Sequence, residues 1–237
     1  MKETNVMNNE QVSLTKETID TLSNFSTINN SIIIPAGNRI RVINEASTCI
    51  AYADVEETFP MEFGVYDISQ FLSVQSLVDE GKIEFNEGYL TIKNASGTTL
   101  RYKYSDPEFI KSAPETVDFP YEGAVDFTLT ETVRDSIKNA ADRLKLNAIS
   151  FVSEAGSSDI FAAAIDEKGQ DDNNFRVLIG SNDAIINNEF SFNISPMLIK
   201  SVKKGDYEVT VSPQGISEFK GSGIQYFIAL SGKSEFK

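Results

Sequence analysis

The sequence holds no histidine and only one cysteine, Cys49, in 237 residues. Without histidine the commonest general base and metal ligand is missing. A lone cysteine excludes an internal disulfide and any cysteine-rich metal site. Also missing are the glycine-rich loop that cradles nucleotide phosphates and the Gly-x-Ser-x-Gly turn that presents a nucleophilic serine. No run of about 18 apolar residues occurs, and the polar opening MKETNVMNNEQ lacks the apolar stretch of a signal peptide. These absences fit a soluble protein of a reducing cytoplasm, and the missing histidine and nucleotide loops predict no hydrolase, transferase or redox activity and no required metal.

Positive charge is scarce too. Lys and Arg number 21 against 35 Asp and Glu, a net −14. Strong DNA affinity comes from releasing counterions with many cations, so this balance argues against a generic nucleic-acid binder. Where the positive charge sits therefore matters more than its total. Carboxylate chemistry is the catalytic option left. The acidic stretch that comes closest to a metal loop, Asp166, Glu167, Asp171 and Asp172, lacks the alternating oxygen ligands and closing Glu of a calcium loop. It is expected to be a solvated hairpin tip.

What is present is an internal duplication. Hydrophobic residues make up 41% of the chain, enough for a real core. Cut near residue 113, the halves carry 9 basic against 16 acidic residues and 12 against 19, so each stands at −7. LTKETIDTLSNF (Leu14–Phe25) in the first half corresponds to LTETVRDSIKNAADRL (Leu129–Leu144) in the second. Both open with Leu-Thr, threonine being a good N-cap, and continue at helical spacing. Ile19, Leu22 and Phe25 are expected on one face of the first helix, and Val133, Ile137, Ala140 and Leu144 on one face of the other. A second pair, Phe63–Phe85 and Phe190–Val211, reads strand, short helix, turn, strand in both halves. In the latter, Ser195 is a fair N-cap, Pro196 suits the first helical position and Gly205 suits the stop.

Between the helices lie short alternating segments that read as strands: NRIRVI, TCIAYADV, KIEFN, YLTIKN, TLRYKY, AISFVSE, DIFAAAID, FRVLIG, YEVTVS and IQYFIAL. The proline-punctuated SDPEFIKSAPETVDFPYEG reads as an interdomain connector. The expected organisation is a loose arm over 1–11, a first domain over 12–104, a connector over 105–120 and a second domain over 121–237. Both domains are α+β, with helices packed on one face of antiparallel sheets.

The third and fourth predicted helices are basic within this acidic chain. Successive helical residues turn by about 100°, so Arg134, Lys138 and Lys145 fall on one stripe beside the apolar face, with Arg143 nearby. Lys200, Lys203 and Lys204 are expected on the last helix. The first helix offers Lys16, offset by Glu17 and Asp20, and the second offers only Ser69, Ser73 and Ser76. Basic helix faces can touch phosphates without reading sequence.

Three runs carry a family resemblance: LTKETIDTLSNFSTINNSIII (Leu14–Ile34), VYDISQFLSVQSLV (Val65–Val78) and YFIAL (Tyr226–Leu230). They resemble the matching stretches of the DNA polymerase sliding clamps, or processivity factors, of T-even-type (T4-like) bacteriophages. The resemblance spans roughly residues 12 to 230. It is strongest in the first 80 residues and the last strand, and the leading arm stands outside it.

The resemblance implies two sliding-clamp domains per chain, with antiparallel sheets outside and two helices per domain on the inner face of a ring. It implies a head-to-tail homotrimer around double-stranded DNA, held topologically and without sequence preference. Edge strands of neighbouring domains pair across each joint. The implied partners are DNA polymerase, an ATP-driven clamp loader and late-transcription factors, with no membrane, and the resemblance implies no catalytic residues and no cofactor. The implied place is the cytoplasm of the infected bacterial host. The DNA-facing candidates become Lys16, Arg134, Lys138, Arg143, Lys145, Lys200, Lys203 and Lys204. The partner-peptide pocket candidates are Phe109 and Ile110 of the connector and Phe227, Ala229 and Leu230 of the last strand. The alternatives are a phage assembly protein built of duplicated β-rich domains and, more remotely, an enzyme using acidic residues.

Overall fold

The computed structural model describes residues 11–169, 173–186 and 188–237. The expected arm, apart from residue 11, and the acidic pair Asp171 and Asp172 lie outside them. The chain divides into two compact units, Met1–Glu45 with Tyr52–Ala113 and Ala46–Ala51 with Pro114–Lys237. The boundary thus falls inside the segment expected to be a separate connector. Residues 105–113 belong to the first unit because they are bonded into it. Ser105 N–H donates to the Gly64 carbonyl at 3.0 Å. Only glycine fits there, since a Cβ on Gly64 would stand 2.6 Å from the Ser105 carbonyl oxygen and 3.0 Å from Ile110 Cδ1.

The first unit runs α1 (Lys16–Phe25), β1 (Ile32–Ile34), β2 (Gly37–Ile43), β3 (Cys49–Phe59), β4 (Phe63–Val65), α2 (Ile68–Gln75), β5 (Lys82–Asn86), β6 (Tyr89–Lys93) and β7 (Thr99–Lys103). The first residues of β3, Cys49–Ala51, count with the second unit. β1 pairs with β4, β2 with β3, and β5, β6 and β7 form an antiparallel meander. Thr15 caps α1 through its hydroxyl, as Leu-Thr predicts. Leu22 and Phe25 are buried beneath it, while Ile19 is only half-buried. Phe59 and Phe63 are buried and meet the half-buried Phe85, with ring centroids 5.4–6.4 Å apart.

The second unit runs β8 (Val125–Leu129), α3 (Glu131–Leu144), β9 (Ala148–Ser153), β10 (Asp159–Ile165), β11 (Phe175–Ser181), β12 (Phe190–Ile194), α4 (Pro196–Ser201), β13 (Tyr207–Ser212), β14 (Ile216–Lys220), β15 (Ile224–Ala229) and β16 (Glu235–Phe236). One antiparallel sheet has the order β11-β10-β9-β12-β16, and a second contains β15-β14-β13-β8. At the end of β15, Ala229 N–H donates to the Thr48 carbonyl at 2.9 Å. Val125, Phe127 and Leu129 alternate inward along β8. The Phe127 ring meets that of Phe151 at 4.6 Å, and Phe151 meets Phe219 at 6.4 Å, joining both sheets in one core. Burying a side chain such as Phe151 contributes about 1.5–3 kcal/mol.

The duplication holds pairing by pairing. In each unit the strand after the first helix pairs with the strand before the second, β1 with β4 and β9 with β12. The residues before the first helix pair with the strand after the second, Val12 with Ile83 and β8 with β13. A meander then closes each unit, β5-β6-β7 and β13-β14-β15. Each unit is therefore two helix-plus-strands motifs whose entry strands are exchanged.

Two helix expectations need correction. α3 buries Arg134, Ile137 and Ala141, whereas Leu144 is exposed and Val133 and Ala140 are half-buried. Its apolar face is rotated because the arginine has buried partners. α4 ends at Ser201, so Lys203 and Lys204 lie in the following loop. Val202 is extended (φ −71°, ψ 123°) and buried, which turns the chain out of the helix well before Gly205.

Candidate nucleic-acid interface

The expected DNA-facing residues separate into three groups. Lys16 is exposed at the first position of α1. A cation there faces the positive end of the helix dipole, so helix stability does not account for it. Arg143 is exposed in the last turn of α3, and Lys145 is exposed at its C-cap in the left-handed conformation, φ 55°. Lys204 is exposed in the loop after α4. Arg143, Lys145 and Lys204 make no ion pair with any described residue.

Lys138 and Lys200 are engaged by acids. Lys138 Nζ lies 3.3 Å from Asp135 Oδ1, one turn back on α3. Burial pushes the Asp135 carboxyl up, but hydrogen bonds from Arg134 and Lys138 outweigh it and hold the group below its ordinary value. Lys200 reaches Asp142 of α3 at 2.5 Å. This acid was not foreseen as its partner, because nothing in sequence spacing brings the two helices together. Lys203 is half-buried with its backbone tied down, as described below.

Arg134 departs from the exposed stripe altogether. It is 2% exposed. Its guanidinium donates to the carbonyls of Val202, at 3.1 Å, and Lys203. Its second nitrogen stands 3.1 Å from Asp135 Oδ1. A buried guanidinium spent on carbonyls is closed to a phosphate, so Arg134 is corrected from contact to support.

The pocket candidates separate as well. Phe109 ends a short 3-10 turn, Pro107–Phe109, capped by Asp106, and is 75% exposed. An aromatic ring left in water on a braced turn has no packing role. Its neighbour Ile110 is buried and anchors the turn near Gly64. In the second unit Phe227 is buried, its ring 6.1 Å from that of Phe119, and it serves that unit's core. Ala229 and Leu230 are half-exposed, and Leu230 N–H donates to the Gly215 carbonyl at 2.8 Å.

The described residues of the acidic stretch are engaged within the second unit. Asp166 and Glu167 sit after β10 at the start of its turn toward β11. Asp166 accepts from Asn147 at 2.6 Å, and Glu167 is engaged by Ser231 and by Lys233. No cluster able to hold a metal ion exists among the described residues. No helix among them is long and apolar enough to cross a membrane.

Paired α+β units of this topology define a fold class that includes PCNA. The fold is similar to that of A. fulgidus PCNA, solved with the C-terminal region of FEN-1 bound, with a TM-score of 0.66 and 18% identity over 95% of this chain and 99% of that one. At that identity the likeness shows the fold alone. Residues 15–111 match the DNA polymerase processivity factor family and residues 128–232 match the gp45 sliding clamp, C terminal. The chain is 39% identical to the sliding clamp of Vibrio phage KVP40 over 218 residues, 91% of this chain and 97% of that protein. It is 25% identical to the sliding clamp of Enterobacteria phage T4 over 227 residues, 93% and 97% of the two. The chain belongs to the bacteriophage sliding-clamp family of DNA polymerase processivity factors. That membership removes the assembly-protein alternative.

Proposed function

We propose that three copies of this chain close head to tail into a ring around duplex DNA and tether the replicative polymerase for processive synthesis. The observation that carries the DNA reading is the placement of uncompensated cations. In a chain of net −14, Arg143, Lys145 and Lys204 are exposed, and unpaired with any described residue, at the end of α3 and in the loop after α4. A few such contacts hold phosphates loosely and without sequence preference, while the acidic remainder of the surface discourages adhesion elsewhere. Looseness suits sliding, since topology rather than affinity keeps a ring on DNA.

Self-assembly is supported by the edge of the second unit. β11 is an outermost strand, and Leu178 on it is 55% exposed. An open edge with an apolar side chain invites pairing with another chain. A heterologous contact of this kind closes into a ring when its rotation allows. Partner peptides of the polymerase, of an ATP-driven loader and of late-transcription factors dock at the Phe109 turn, with Ala229 and Leu230 as the second unit's candidates. The ring acts without catalysis of its own, in the cytoplasm of the infected bacterial host. Sedimentation at micromolar concentration tests the assembly: three chains per particle are expected, and a stable dimer or a large shell refutes it.

A further inference from the structure

The loop from Val202 to Asp206 is tied to the first turns of α3 at both ends. At one end Arg134 donates to the carbonyls of Val202 and Lys203. At the other, Asp206 Oδ1 accepts the Glu131 N–H at 2.8 Å. Two buried tyrosines complete the hold on the backbone of one residue. Lys203 N–H donates to the Tyr226 hydroxyl at 3.0 Å, and the Tyr207 hydroxyl donates to the Lys203 carbonyl at 2.8 Å. Burial pushes the Tyr207 phenol up to about 12, so it stays protonated and able to donate at neutral pH. Gly205 then takes φ +145°, which side-chain-bearing residues rarely adopt, and Lys204 is left exposed.

The duplicated unit supplies an internal control. Thr15 and Thr130 cap the corresponding helices, and the residue four positions further on is Ile19 in α1 and Arg134 in α3. The loop after the second helix reads SLVDEG (residues 76–81) in the first unit and VKKGD (202–206) in the second. Where that loop has no basic residue the supporting position is isoleucine; where it carries two lysines the position is arginine. The fold therefore does not require a guanidinium there. Burying one is costly, and the arginine coincides with the basic loop.

We propose that Arg134 is a positioning residue that, with Tyr207 and Tyr226, holds the Val202–Lys203 backbone so that Lys203 and Lys204 are presented to the phosphates of duplex DNA. This rests on the reading that the loop after α4 meets DNA. Fixing the loop in advance removes the ordering cost that a free segment would bear on contact. Five hydrogen bonds are thereby committed to the aim of two ammonium groups.

The test is the salt dependence of binding to a short duplex, measured for the whole chain and with sedimentation and melting of every variant. The variants are the pair Lys203→Ala with Lys204→Ala, Arg134→Met, Tyr226→Phe, and the last two each combined with the lysine pair. Removing both lysines should weaken binding and make the slope of log affinity against log salt shallower by about 1.8, two phosphate contacts at roughly 0.9 each. Arg134→Met and Tyr226→Phe should each weaken binding several-fold with both lysines present, and should change nothing once they are gone. If the lysine pair itself has no effect, the DNA reading of the loop fails. If the lysine pair matters but Tyr226→Phe, which deletes one hydroxyl, leaves affinity and slope at the parent values, the positioning role is refuted. It is refuted equally if Tyr226→Phe weakens binding as much without the lysines as with them. Should Arg134→Met fail to fold, the Tyr226→Phe comparison decides alone.

Discussion

The Lys200 ammonium lies 2.5 Å from Asp142 Oδ1, joining α4 to α3 through a pair in which both side chains remain partly exposed. Such surface pairs contribute about 0–1 kcal/mol, so this one has little to do with holding the helices together. It does decide whether Lys200 is available to a phosphate. Asp142→Asn should leave the melting temperature nearly unchanged and strengthen duplex binding, with the salt slope steeper by up to about 0.9. An unchanged slope would remove Lys200 from the DNA path.

Glu57 of β3 is 7% exposed. It accepts hydrogen bonds from the Thr15 N–H and the Thr18 hydroxyl, closing the N-terminus of α1 from a distant strand. Glu57→Ala strands both donors and should cost about 1–3 kcal/mol in denaturant unfolding. A cost below a few tenths would show that water replaces the carboxylate at this cap.

Asp135 should contribute to stability in a pH-dependent way. Its folded-state carboxyl is held below the ordinary aspartate value, about 3.9, against the opposing effect of burial. The unfolded chain therefore binds the proton more readily. The contribution is fully present above about pH 5 and is lost progressively as pH falls through the unfolded and then the lower folded value. Stability of the parent and of Asp135→Asn, compared from pH 6 to strong acid, should converge at the acid end. A difference constant across that range would contradict the assignment.

Phe109 should act in docking and not in folding. Phe109→Ala is expected to weaken a polymerase C-terminal peptide by about 2 kcal/mol while the melting curve stays in place. The reverse pattern, a lower melting point with unchanged peptide affinity, would make Phe109 a packing residue.

Much of the fold was legible because strands declare themselves by alternation. Tyr207, Val209 and Val211 turn inward along β13 as their spacing requires. Capping threonines located α1 and α3 to within a residue. β14 escaped notice because its buried residues, Ser217, Glu218 and Phe219, do not alternate. The site was less legible. Arg134 and Lys138 look alike on a helical wheel, and only the carbonyls of Val202 and Lys203, brought from 68 and 69 residues away, distinguish buried support from exposed charge. Gly205 resembled a helix stop, but the buried Val202 ends α4 first. Phe227 reads equally as core or pocket on its strand, whereas Ile110 in a proline-bounded loop reads as pocket, and both are buried.

Encirclement of DNA is tested most directly by retention of the loaded chain on closed circular duplex, compared with the same duplex cut once. A ring held by topology and by a few weak phosphate contacts should stay on the circle at a salt concentration that abolishes binding to short duplexes, and should run off as soon as the circle is cut. Equal loss from circular and linear DNA, or persistence on linear DNA with free ends, would contradict it.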